Sequence, residues 1–243
     1  MTPVTRAMRN ISASKAVTLA VTVALLLLGS APGVEAHGVS GKDAVFLQGL
    51  DGQAIGPLLY LGAKHMVTGY DHLLFLVGVI FFLYRPKDVL LYVTLFTIGH
   101  STTLLLGVLG GIHANPYLID AVIGFSVVYK AFENMDGFRK VFRWQPNTKV
   151  AVLLFGFFHG FGLATKLQDF ALSPNGLVTN IVSFNIGVEI GQFLALGAIL
   201  IGITYWRMHP SFMRQAFTAN AVVMACGFLL IGYQLTGYFI PVL

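Results

Sequence analysis

The chain has 243 residues, of which 56% are hydrophobic and only 10% charged, far from the soluble average in which roughly a quarter are charged. Its formal net charge of +5 is scattered between apolar runs and forms no basic patch or stripe, which argues against a nucleic-acid partner. The single cysteine, Cys226, excludes an intrachain disulfide or a cysteine metal cluster, and its place in an apolar run reads as a small buried side chain.

Taken in chain order, Arg6, Arg9 and Lys15 precede an apolar run over 16–28, and Gly29, Ser30, Pro32 and Gly33 then lead to Val34-Glu35-Ala36. A basic region, a short apolar core and a small-residue cleavage site make residues 1–36 a secretory signal peptide; the other reading of this run is an uncleaved anchor helix. Cleavage after Ala36 would leave His37 at the amino terminus, where an amine and an imidazole together suit a metal such as copper. No partner histidine lies nearby in the sequence, so His37 reads first as a residue at a favourable cleavage site. Residues 37–57 form a polar, glycine-containing extracytoplasmic lead-in, and 58–243 the transmembrane domain.

Several apolar runs in that domain approach the length of about 20 residues that a helical span needs, and none alternates like a barrel strand. The expected fold is all-α, a polytopic transmembrane helical bundle of about six spans at 58–84, 89–109, 117–134, 149–163, 177–206 and 217–239. Arg85 and Lys87 follow the first span, Arg139, Lys140, Arg143 and Lys149 the third, and Arg207 and Arg214 the fifth, whereas the other face carries only Lys42, Lys64 and Lys166. That positive excess puts both mature termini on the periplasmic side of a bacterial inner membrane, which agrees with the signal peptide.

Polar side chains inside the spans are the candidates for function, because an ionisable residue at the bilayer centre costs at least ~2.5 kcal/mol. His65, Asp71 and His72 fall in the outer part of span one, His100 in the middle to outer half of span two, and His159 near the outer end of span four. Glu189 lies near the middle of span five with Asn185 one turn before it, and Glu133 toward the cytoplasmic end of span three. Ser101, Thr102, Thr103 and Asn180 read as ordinary interhelical hydrogen-bonding residues.

On an unbroken helix His65 and His72 would be ~10.5 Å apart, too far for nitrogens that must lie within ~4 Å of each other on one ion. Either the helix breaks near Gly69, where a break costs least, or the two histidines serve successive sites. Neutral imidazoles with a carboxylate and no thiolate suit nickel, cobalt, zinc or copper(II). The lack of clustered carboxylates argues against magnesium and calcium.

His65-x5-Asp71-His72, the segment Phe158-His159-Gly160-Phe161-Gly162 and the segment Phe184-Asn185-x-Gly187-Val188-Glu189-x-Gly191-Gln192 resemble the HupE/UreJ family of bacterial membrane proteins over about 56–235. The family's hydrogenase-type members carry a second histidine soon after the first in the span-four motif; its absence here resembles the divergent second branch. The resemblance implies a nickel or cobalt permease associated with hydrogenase and urease maturation, with His65, Asp71, His72 and His159 as the matching residues. In that reading the protein is not an enzyme: it captures the ion on the periplasmic side at those four residues and passes it by His100 and Glu189, with Asn185 beside the path and Glu133 near the exit. No Walker motif is present for ATP-driven transport. The competing readings are an intramembrane hydrolase with zinc on His72, His100 and His159 and Asp71 or Glu189 as base, for which no zincin motif or serine elbow exists, and a non-transporting accessory subunit of a membrane metalloenzyme complex.

Overall fold

The computed structural model of the chain describes residues 41–169 and 173–240. The expected signal peptide, 1–36, and His37 lie outside the described residues. Within them the chain forms nine helices and no strand: α1 Gly41–Gln48, α2 Ile55–Thr68, α3 Tyr70–Ile80, α4 Pro86–Leu109, α5 Pro116–Asn134, α6 Gly137–Phe142, α7 Thr148–Gln168, α8 Leu177–Arg207 and α9 Phe212–Phe239. Four of them, α4, α7, α8 and α9, are long and apolar enough to cross a bilayer. This is an all-helical membrane protein.

The other two expected spans differ from simple apolar rods for physical reasons that the side chains supply. The stretch 58–84 is split at Gly69 into α2 and α3. Helix α5 carries Asp120, Lys130 and Glu133 in its 19 residues, and each charge is answered inside the protein. Lys166 Nζ donates to Asp120 at 2.6 Å and Gln234 Nε2 at 3.2 Å, while Lys130 Nζ donates to Glu133 at 2.5 Å. Paired in this way, charges inside an apolar surround are no longer prohibitive.

Local signals set the helix ends. Pro86 and Pro116 occupy first-turn positions, where a missing N–H is harmless. The side chains of Asn115 and Asn147 cap α5 and α7 by accepting from Leu118 N and Lys149 N. Helix α7 runs on past 163, the expected end of the span, because Lys166 finds Asp120 and Gln168 Nε2 donates to the carbonyls of Ala164 and Gly107. Lys166 therefore belongs to a helix rather than to the outer loop, and His159 sits midway along α7 rather than near its outer end.

The helices pack chiefly as three pairs: α2 on α8, α4 on α7 and α5 on α9. Lipid tails are as apolar as leucine, so such pairs gain by close approach of backbones at small residues rather than by hydrophobic burial. A Cβ on Gly62 would run into the backbone of Phe184, on Gly187 into Leu59, on Gly156 into Phe96, and on Gly160 into His100. The outer connections are tied by Asp51, whose carboxylate accepts from Ser173 Oγ at 2.8 Å and Asn175 Nδ2 at 2.9 Å. Hydrogen bonding, first from Asn175 and then from Ser173, holds the Asp51 carboxyl below its usual range. Its folded pKa being the lower one, this tie is present above the unfolded value of about 3.9 and lost as pH falls through the folded value.

Candidate metal site at a broken helix

The break at Gly69 builds the site. Its backbone turns extended (φ −71°, ψ 96°), its N–H closes α2 on the His65 carbonyl at 2.8 Å, and its own carbonyl opens α3 by accepting from Leu73 N at 3.0 Å. A Cβ here would crowd the His65 carbonyl, His72 Nδ1 and Asp71 Oδ1 at 3.0 to 3.3 Å, so glycine lets these groups approach without displacement. Of the two arrangements open to His65 and His72, the chain adopts the first: the break brings their ring centroids to 5.2 Å.

His72, fully buried, is the hub. Its ring lies 4.9 Å from that of His159 on α7 and 6.0 Å from that of His100 on α4, so four histidines from four helices converge. Phe96 and Phe75 wall them in, with ring centroids 5.1 and 5.2 Å from His159. All four imidazoles and Asp71 are buried.

Hydrogen bonds select the tautomers. Asp71 Oδ1 accepts from His72 N at 2.7 Å and lies 3.0 Å from His72 Nδ1; a carboxylate accepts, so Nδ1 carries the proton and the lone pair is at Nε2. The carbonyl of Phe155, 2.8 Å from His159 Nδ1, does the same for that ring. No hydrogen-bond partner meets His159 Nε2 or His100 Nε2 among the described residues. Orienting one ring nitrogen so that the other is free to ligate is how proteins prepare imidazole for a metal. Imidazoles sharing a tetrahedral ion at ~2.1 Å would have centroids about 5 Å apart, close to the spacings around His72. Among the described residues, however, no three His, Cys, Asp or Glu side chains stand ready to hold an ion, so the rings must turn to share one.

The chain matches the family model described as HupE / UreJ protein over residues 41–242. It belongs to the HupE/UreJ family. No curated protein and no solved structure matches it. The residues on which the sequence resemblance rested, His65, Asp71, His72 and His159, lie together in the fold, and His100 joins them from α4.

The remaining candidates in this HupE/UreJ protein lie elsewhere. Asn185 Nδ2 donates to Ser101 Oγ at 3.0 Å and to half-buried Glu189 at 3.4 Å, and Gln192 Nε2 donates to Thr97 Oγ1 at 2.8 Å. These side chains form a polar layer joining α8 to α4. Glu133 is engaged by Lys130, by Gln145 Nε2 at 2.8 Å and by the Thr148 hydroxyl, at the end of α5 away from the histidines. A narrow apolar void lies between His72 and that end, lined by Phe96, Val93, Tyr92 and Val152 among others.

Sequence reasoning missed Lys130 and the Asp120–Lys166 pair. The i, i+3 spacing of Lys130 and Glu133 is a signal for the first; nothing in the sequence joins Asp120 to Lys166, which are 46 residues apart. Glu133→Gln should destabilise the protein by about 3 kcal/mol, because it leaves buried Lys130 without its counter-charge, whereas Lys130→Met with Glu133→Leu should restore most of the loss. Thermal unfolding in detergent checks both.

Proposed function

We propose that this HupE/UreJ protein is a permease for a divalent transition metal, nickel or cobalt, in the bacterial inner membrane with its termini on the periplasmic side. The observation that carries the reading is the convergence of four buried histidines around His72 at the break between α2 and α3. Discontinuous helices near the bilayer midplane are where secondary transporters bind their substrates, because the broken backbone exposes carbonyls and frees side chains from helical register. The C-terminal end of α2 offers its negative dipole end to a cation, and Asp71 supplies a carboxylate beside it.

The ion enters at His65, Asp71, His72 and His159, with His100 as the next ligand inward. Rings that must turn to share an ion suit a carrier, which has to release what it binds, better than the rigid three-histidine centre a zinc hydrolase needs. Glu189 and Asn185 then offer oxygen ligands in the layer between α8 and α4, and Glu133 marks the cytoplasmic end of the path. Family membership supports transport or an accessory role over catalysis.

Uptake of radioactive nickel or cobalt into proteoliposomes tests this. Accumulation above protein-free vesicles, saturable and competed by the other of the two metals, is the expected result. Tight nickel binding with no accumulation would turn the reading to an accessory subunit.

A further inference from the structure

The two halves of the chain make the same contacts. Gly62 abuts the backbone of Phe184, and Gly156 that of Phe96; Gly187 abuts Leu59, and Gly99 abuts Leu153. The rings of His65 and Phe184 lie 6.2 Å apart, and those of His159 and Phe96 5.1 Å. Gly191 abuts Ala63, and Thr103 Oγ1 donates to the Phe157 carbonyl at 2.7 Å. One shift relates each contact to its twin: 94 positions carry α2 onto α7 (Gly62 to Gly156, His65 to His159), and 88 carry α4 onto α8 (Phe96 to Phe184, Gly99 to Gly187). The third pair obeys its own constant of 103, carrying Gly124 to Gly227 and Val128 to Ile231. Gly124 meets Ile231 while Gly227 meets Val128, and Tyr117 meets Gly237 while Asn220 bonds Asn134 at 2.8 Å.

The sequence keeps traces of the same register: Gly62-x-x-His65 beside Gly156-x-x-His159, Phe96-x-Ile98-Gly99 beside Phe184-x-Ile186-Gly187, and Gly124-Phe125 beside Gly227-Phe228. With α2/α3, α4 and α5 each crossing once, α7 enters from the opposite face to α2, so the halves are inverted. His72, on α3, has no counterpart histidine; it is nearly equidistant from the equivalent rings of His65 and His159, at 5.2 and 4.9 Å.

The halves are not in the same state. On the outer side Leu58, Ile181 and Phe184 are packed solid with Leu47 of α1. Their equivalents Val152, Val93 and Phe96 line the narrow void on the inner side of His72. The equivalent of Leu47 is Val141 of α6, which is 63% exposed where Leu47 is 1% exposed.

We infer that the chain is an inverted repeat of a three-span unit, 41–134 and 137–239, and that the two halves exchange these packings, giving the histidine cluster access to each side of the membrane in turn. In the described conformation both sets are buried, the outer one packed with Leu47 and the inner one bordering the void. In the reciprocal one Leu58, Ile181 and Phe184 loosen while Val152, Val93 and Phe96 close. Inverted repeats with a site at their interface provide two such conformations from one fold. That the exchange carries metal rests on the permease reading above.

Single cysteines at the equivalent positions Ile181→Cys and Val93→Cys, each with Cys226→Ala in the full chain, test the inference in right-side-out and inverted vesicles with a membrane-impermeant maleimide. Position 181 should label only from the periplasmic face and position 93 only from the cytoplasmic face, and nickel chloride should move the two rates in opposite directions. Rates that move together, or a position 181 that never labels, overturn it. Radioactive nickel uptake by the same vesicles separates the two readings: uptake without reciprocal labelling overturns the exchange and leaves the permease, whereas reciprocal labelling without uptake upholds the exchange and removes the permease. If either cysteine protein fails to fold, hydrogen exchange on the unaltered chain decides, with 41–48 and 177–184 expected to change oppositely to 137–142 and 89–96 on adding nickel.

Discussion

His72→Asn should abolish nickel uptake in a protein that still folds. Asparagine places an N–H near the position of His72 Nδ1, so the hydrogen bond to Asp71 survives, but it offers nothing in place of Nε2, the lone pair at the centre of the cluster. Alanine is the poorer test: His72 is fully buried, and the void it would leave costs stability by roughly 24 cal/mol for each Å³. Asp71→Asn should be milder, lowering metal affinity about 10- to 100-fold, because it weakens the acceptor that orients the ring without removing a nitrogen. Loss of uptake should be largest at His72, which contacts the other three rings, and smaller at His65 or His100, each at the edge. Nickel uptake by His72→Asn equal to that of the unaltered protein would remove the cluster from the transport path.

The largest effect on stability is expected from a single methyl group at a helix crossing. Gly187→Ala drives its Cβ into the backbone of Leu59, and Gly156→Ala into that of Phe96; backbone cannot rotate aside as a side chain can, so each helix pair must part. Overpacking of a core typically costs 1 to 3 kcal/mol, and about 3 kcal/mol or more is expected here because the separation propagates along α2–α8 or α4–α7. Gly197→Ala and Gly202→Ala, on the same helix as Gly187 but facing open space, should instead leave stability unchanged or raise it by about 0.5–1 kcal/mol through helix propensity. Melting temperature and monodispersity in one detergent compare the four proteins. Equal behaviour of Gly187→Ala and Gly197→Ala would mean that the crossings are not held by backbone contact.

Much of the site was visible before any fold was known. Charged and imidazole side chains in apolar runs stand out because the bilayer penalises them, and that picked out His65, Asp71, His72, His100 and His159 together. The geometric conflict between His65 and His72 left two choices, a break near Gly69 or two successive sites, since a seven-residue separation on a helix is a fixed distance; the fold took the first. Glu133 and Lys130 show the limit of that reasoning. A penalty says that a buried charge needs a partner without saying which, and Glu133, read as part of a path, is bound by Lys130, Gln145 and Thr148. Likewise Lys166 looked like a loop charge until Asp120, on another helix, accounted for it.

What the sequence by itself determined is everything that depends on one segment against the solvent: the all-helical membrane class, the positions of the apolar runs, and the polar residues whose presence in them needs a reason. Composition and hydropathy act locally, so they are legible one window at a time. Only the tertiary structure decided which helices pair, that His159 lies midway along α7 rather than at its end, and that four imidazoles from four helices meet at His72. Those facts depend on glycine-mediated approach between residues 60 to 128 positions apart, as at Gly156–Phe96 and Gly187–Leu59, and on partners found across the bundle, and no local pattern encodes a distance between two helices.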